Sequence, residues 1–363
     1  MHPILKTLGL ALLAAGAMNF QPLYAQNAAV STAEAENLSN QLEQSMNNGD
    51  PGILNHLIYF PEFIKRTESK SYFIDNMDTL TIVAKDFGLF NIGNSTLGIT
   101  KNGSYRLVRG FVKNEEMHVL FRAFGDGGLN YQDITLIKVK DSVRAADIYS
   151  YQLGESYAGI FSYQISGMDT IDVHSSLTPR EKYGKIFGNA LANKNYSAAR
   201  SAFEKFDEQD QNDKHFSLQY MLACEHLSEK QFRKSTDHFI SLFPDEPAPY
   251  LLLMKKYADT REYNVYGKSL DKLDTLVHFD PFLNYFRGNV LLKLGDTRAA
   301  LHFYQEAFDY DPGIWQNTEK LVACKVVNNE LVQANEAINL YSHTPGYRKD
   351  LVEALYKEYP NLK

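Results

Sequence analysis

Apolar and polar positions change their period along this chain, and the changes mark out its parts. Residues 31–46 (STAEAENLSNQLEQSM) place apolar side chains at helical spacing, and Asn47-Asn48-Gly49-Asp50 stops the run. A second helical stretch is expected over residues 53–66, a mixed pattern over 72–92, and turns over 93–103. The period then falls to two. Residues 105–113, 117–124, 130–140 and 143–152 are rich in β-branched and aromatic side chains. Lys113-Asn114-Glu115, Gly125-Asp126-Gly127-Gly128 and Lys140-Asp141-Ser142 separate them, which predicts four antiparallel strands in a meander. Helices followed by such a meander form an α+β layout, expected over residues 31–154. A helical linker is expected over 155–180, beginning with a helix over 156–163.

From residue 181 to the end the period is helical again, and it repeats. In residues 283–312 (LNYFRGNVLLKLGDTRAALHFYQEAFDYDP) small residues at Gly288 and Ala300 let two helices approach closely. Leu291, Tyr304 and Ala307 fill the seam, Gly295-Asp296 turns the chain, and Pro312 ends the second helix. The same frame fits Ala223, Ser235, Phe239, Leu242 and Pro247, then Ser269, Leu273, Leu276 and Pro281. Gly188, Leu191, Ala199 and Phe203 match upstream, and Leu321, Ala334, Ile338 and Pro345 downstream. About five hairpins result, with residues 348–359 as a terminal capping helix. This half resembles the tetratricopeptide repeat family, which implies an all-α helical-hairpin solenoid with a concave binding face. The segments LFRAFGDGGLNYQDITLIKV and AADIYSYQLGES resemble the nuclear-transport-factor-2-like (cystatin-like, SnoaL-like) cone. That likeness implies a curved sheet wrapped around a long helix.

The opening of the chain reads as an export signal over residues 1–25. Lys6 supplies the positive charge, residues 8–18 (LGLALLAAGAM) the apolar run, and Ala25 the cleavage position. The run is too short for a spanning helix, which needs about 20 residues, and no later segment is long and apolar enough either. The expectation is an exported, periplasmic or extracellular protein, soluble after cleavage. A net charge of -7 with no basic run argues against a nucleic-acid surface. The two cysteines, Cys224 and Cys324, fall in first helices three repeats apart, too far for a disulfide, and are expected as buried free thiols.

Candidate chemistry is sparse. Strand alternation puts His118 and Arg122 on one face, Tyr131, Asp133 and Thr135 on one face, and Asp147, Tyr149 and Tyr151 on one face. Should these faces coincide inside a cone, Asp133 or Asp147 would be a candidate base, with Arg122 and Tyr131 beside it. The competing reading is an Arg122–Asp ion pair with tyrosine packing. No full catalytic constellation is present, and the sequence leans against an enzyme. No histidine spacing suggests a metal, and no cofactor motif occurs.

In the repeats, the first-helix register selects Lys185, Asn189, Tyr220, Met254, Phe282, Tyr285 and Asn289 as groove-lining candidates for a peptide or protein partner. Lys185 and Asn189 begin a known carboxylate-clamp pattern, but Met221 and Leu251 break it. Tyr220, Phe282 and Tyr285 are the candidate anchors, with packing between hairpins as their competing role. Two functions follow. The first is a non-enzymatic binding or scaffold protein acting through its concave repeat face. The alternative is a cone that binds or isomerises a small molecule while the repeats recruit a partner.

Overall fold

The computed structural model describes residues 29–67, 76–169 and 177–362. The expected export segment lies outside them, as do residues 170–176 of the expected linker.

Among the described residues five α-helices precede the sheet: α1 (Thr32–Asn47), α2 (Gly52–Asn55), α3 (Phe60–Arg66), α4 (Met77–Asp86) and α5 (Ile92–Thr100). Ser31 and Glu34 start α1 with a reciprocal capping box. The single helix expected over 53–66 is instead α2 and α3. Pro61 lies in the first turn of α3, where a missing N–H is tolerated, whereas mid-helix it would break the ladder. Between the two helices, Leu57 and Tyr59 hydrogen-bond to Ala145 of the sheet. The expected turns over 93–103 are also corrected, because α5 occupies most of that stretch. Its poor helix formers are held by tertiary contacts: Gly93 N–H donates to Asn55 Oδ1 at 2.8 Å, and Thr96 accepts from Gln132 at 2.9 Å.

Strands β1 (Ser104–Lys113), β2 (Glu116–Gly125), β3 (Gly128–Val139), β4 (Ser142–Ser150) and the two-residue β5 (Glu155–Ser156) form one antiparallel meander in sequential order. The four expected strands are present, and β5 adds a fifth at the edge. A bulge lies between Leu107 and Arg109 of β1, and another after Thr135 opposite β4.

Beyond helix α6 (Tyr157–Asp169) the described residues form five hairpins: α7 (Pro179–Ala192) with α8 (Tyr196–Phe203), then, after the short α9 (Glu208–Gln211), α10 (Lys214–Cys224) with α11 (Glu229–Leu242). Next come α12 (Ala248–Tyr257) with α13 (Tyr263–Leu276), α14 (Asn284–Lys293) with α15 (Thr297–Tyr310), and α16 (Trp315–Val327) with α17 (Leu331–Ser342). Helix α18 (Lys349–Glu358) closes the stack. The chain is thus an α+β domain followed by a helical solenoid. Gly288 meets the ring of Tyr304 so closely that an added Cβ would sit 2.6 Å from it. That contact explains the small residue at the α14–α15 crossing.

The sheet is buried on both faces. Val119, Phe121, Ala123, Ile134, Leu136, Ala145 and Ile148 pack with α1–α6 in one apolar core. The opposite face presents Leu120 and Tyr131 to Leu218, Met221, Leu251 and Leu283 of the hairpins in a second core. Strands β2 and β3 therefore show almost continuous burial instead of alternation.

Candidate functional site

The polar side chains singled out on the strands share one face, the face turned toward the solenoid. Register pairs Arg122 with Tyr131, Asp133 with Tyr149, and Thr135 with Asp147, and antiparallel partners point to the same side. The pocket expected inside a cone is corrected accordingly. The space between the sheet and α1–α6 is filled by the apolar residues that alternate with these polar ones.

At one end of this face lies a buried ion cluster. Arg122 Nη1 donates to both oxygens of Asp280, at 2.8 and 3.0 Å, and Nη2 donates to Asp311 Oδ2 at 3.0 Å. The guanidinium stacks over Phe282 at 4.1 Å. Tyr131 donates its hydroxyl to Asp280 Oδ2 at 2.8 Å. Burial alone would weaken the Arg122 charge, but Asp280 and Asp311 hold its pKa above the ordinary value. Burial and then Asp280 push the Tyr131 hydroxyl well up, so it remains a donor. Arg122 is thus paired with an Asp, as the competing reading held, but with aspartates of the repeats instead of the sheet.

Those partners occupy one repeated position. Glu246-Pro247, Asp280-Pro281 and Asp311-Pro312 each stand at the junction between hairpins. Each acid reaches the sheet: Glu246 accepts from Tyr149 on β4, Asp280 binds β2 and β3, and Asp311 binds Arg122 and lies 4.0 Å from Arg106 on β1. Lys214 completes the Glu246 contact at 2.7 Å. A ladder of three acid–proline steps therefore holds the sheet across its strands. Sequence reasoning used these prolines to find the repeat but passed over the acids before them. Their equal place in the period was the available signal.

At the other end a cleft of ≈ 290 Å³ opens among His118, Asp133, Asp147, Tyr149 and Glu246. His118 Nδ1 lies 2.7 Å from Asp133 Oδ1, and Phe111 stacks on the imidazole at 5.1 Å. Asp147 Oδ1 accepts from the amides of Ile148 and Ala158 at 2.8 and 3.1 Å. Burial outweighs these donors and raises its pKa to about 6. The arrangement offers an oriented imidazole and a carboxyl that titrates near neutrality. Among the described residues, no group of three or more histidine, cysteine or acidic side chains could hold a metal ion.

The seven groove candidates do not form one open surface. Phe282 and Met254 are buried, which corrects their expected exposure. Phe282 lies beneath Phe124 of β2 at 4.8 Å and beneath Arg122, because the sheet occupies this part of the repeats. Tyr220 is half-buried and stacks on Phe203 at 3.9 Å. Lys185 is half-buried and Asn189 exposed, both on α7. Tyr285 and Asn289 do line an open cleft of ≈ 370 Å³. They are joined there by Tyr257, Tyr263, Tyr266 and Phe286 of the third and fourth hairpins, with Phe124 contributed by the sheet. Asn289 accepts from Tyr304 at 2.8 Å, which fixes its amide. The tyrosines of α13 were missed because the groove register considers first helices only. Cys224 and Cys324 are buried free thiols, with burial raising the pKa of each. Among the described residues no helix is long and apolar enough to cross a membrane.

Together these features define a class of architecture: an antiparallel meander docked by its polar face on a helical-hairpin solenoid. Compared with known proteins, the chain matches no family model and no curated protein. Among solved structures it is similar to a crystal structure of MamA protein, at 14% identity and TM-score 0.37, over 51% of this chain and 96% of that one. It is also similar to a MamA RS-1 double mutant, at 14% identity and TM-score 0.39, over 52% and 99%. For MamA AMB-1 the values are 16% and 0.36, over 48% and 94%.

Proposed function

We propose that this chain is a protein-binding scaffold, and that the aromatic cleft of its third and fourth hairpins seats a segment of the partner. The observation that carries this reading is the cleft itself. The sheet covers Phe282 and Met254 is buried, yet Tyr263, Tyr285 and Phe286 stay partly open around one cavity. Rigid aromatic side chains supply contact area at low entropic cost and dominate interface energies. The repeat spacing around Gly288 supports the tetratricopeptide-type solenoid on which such surfaces are built. The charged and apolar opening from Lys6 to Ala25 supports placing the scaffold outside the cytoplasm. The division at about residue 154 belongs to the same reading, with one part serving as the cover and the other as the seat.

Selection of a random peptide library on the intact protein tests it. Enriched peptides should carry an aromatic or aliphatic anchor. Tyr263→Ala and Tyr285→Ala should each weaken them about tenfold or more, with the melting temperature little changed for Tyr263→Ala. Enrichment of no peptide, or binding by both variants as tight as by the unaltered protein, contradicts the proposal.

A further inference from the structure

The bulge in β1 has a chemical consequence. Before it, Tyr105 and Leu107 face the apolar core against α1–α6. Val108 is the extra residue, and Arg109 resumes pairing opposite Leu120. One inserted residue reverses the facing of all that follow. Arg109, Phe111 and Lys113 are thereby turned toward the solenoid, where they line a cleft of ≈ 350 Å³. Leu120 and Tyr151 of the sheet line it as well, with Pro247, Leu276 and His278 from the repeats.

Arg66, Arg106, Arg122 and Lys138, on or against the same sheet, each pair with an acid. Arg109 and Lys113 do not. Among the described residues no carboxylate lies within ion-pair distance of either, although Asp133 and Asp245 line the same cleft. Those two acids are engaged, Asp133 by His118 at 2.7 Å and Asp245 by Lys272 at 2.9 Å. Arg109 rests on Phe111 at 4.2 Å, and its Nε is buried without a hydrogen-bond partner. A half-buried guanidinium with an unmet donor is costly unless a ligand supplies the acceptor. Its positive field also reaches His278, whose pKa is lowered by burial first and by Arg109 second.

We infer that this cleft binds a small organic monoacid, its carboxylate held by Arg109 and Lys113 and its apolar body seated among Phe111, Leu120, Tyr151 and Leu276. The volume falls in the range of small-molecule sites. A carboxylate suits the planar guanidinium fork. Asp133 and Asp245 line the same space and disfavour a dianion such as phosphate. The site stands apart from the aromatic cleft of the repeats and does not depend on the scaffold reading.

Titration calorimetry and saturation-transfer NMR on the whole protein, using phenylacetate and 3-methylbutanoate, test the inference. Their neutral amides and inorganic phosphate are the comparison probes. At least one acid should bind saturably, and its amide about tenfold or more weaker, as should the acid to Arg109→Met. Exposed Lys113→Met should weaken the acid by about threefold to tenfold, and it serves as the test should Arg109→Met melt early. Four results would overturn the inference: no saturable binding of either acid, equal binding of acid and amide, unchanged binding by the folded variants, or phosphate binding as tightly as the acids.

Discussion

Arg122 on β2 and Asp280 at the entry to the fourth hairpin, 158 positions apart, form an ion pair of 2.8 Å in which neither side chain is exposed. Such a pair ties two parts of the chain together through a group that tolerates no loss of its partner. Removing one member of a buried pair leaves a charge without compensation, whereas apolar replacement of the whole set is often tolerated. Arg122→Met should therefore lower stability by about 3–5 kcal/mol in urea unfolding. Arg122→Lys should recover only part of that, because it lacks both the fork and the stacking on Phe282. Replacing Arg122, Asp280 and Asp311 together with Met, Leu and Leu, and Tyr131 with Phe so that its hydroxyl does not lose the Asp280 acceptor, should restore much of the loss. If this combined variant is no better than Arg122→Met, the cost lies in packing and not in stranded charge.

Phe124 reaches from the sheet into the hairpins, with Phe282, Tyr285 and Phe286 at 4.8, 5.6 and 5.7 Å. Phe124→Ala should cost about 3–5 kcal/mol. Val112→Ala, on the same sheet but 66% exposed, should stay within about 0.5 kcal/mol. Thermal melting of the two variants side by side checks this.

The glycines of the hairpins divide by the space around them. Gly288→Ala would drive a methyl to 2.6 Å from Tyr304 and should destabilise by about 1–3 kcal/mol. Gly267, inside α13, has no atom within 4 Å of where a Cβ would stand. Gly267→Ala should stabilise by up to about 1 kcal/mol, the helix-propensity difference alone. Opposite signs in denaturant melts are the expected outcome.

The elements of this fold were largely legible because they depend on neighbours in sequence. The alternation over 105–113 and 117–124 found β1 and β2 to within a residue or two, and the spacing around Gly288 found the α14–α15 hairpin. Helix α5 was not legible, since its glycines and β-branched residues are poor helix formers held by Asn55 and Gln132. The polar face of the sheet was legible as a face, through His118, Arg122, Tyr131 and Asp133. Its direction was not. Which side of a sheet meets a second domain depends on contacts such as Arg122–Asp311, 189 residues apart, and no local period encodes them. The one long-range hint was the acid before each junction proline.

Asp147 gives a pH dependence with a definite sign. Burial raises its pKa from 3.8 to about 6, so the folded chain holds that proton more tightly than the unfolded chain does. Its contribution to stability is fully present below about pH 4 and is lost as pH rises through 6. Because the group is partly solvated, the loss between pH 4.5 and 7.5 should be of order 1–2 kcal/mol. Asp147→Asn should remove this component, seen as the difference between wild-type and variant urea midpoints at the two pH values. Parallel midpoints in the two proteins would place the Asp147 pKa near its ordinary value.

The sheet is seated on the hairpins through the buried Arg122 cluster. A double-mutant cycle in urea measures it most directly, with Arg122→Met, Asp280→Leu and the pair compared with wild type. Loss of the Asp280 cap on Phe282 N–H enters both arms and cancels. The seated arrangement predicts a coupling of about 2–3 kcal/mol, the double variant being far less damaged than the sum of the singles. Additive effects, with coupling near zero, would mean that Arg122 and Asp280 do not meet in solution and would contradict the account.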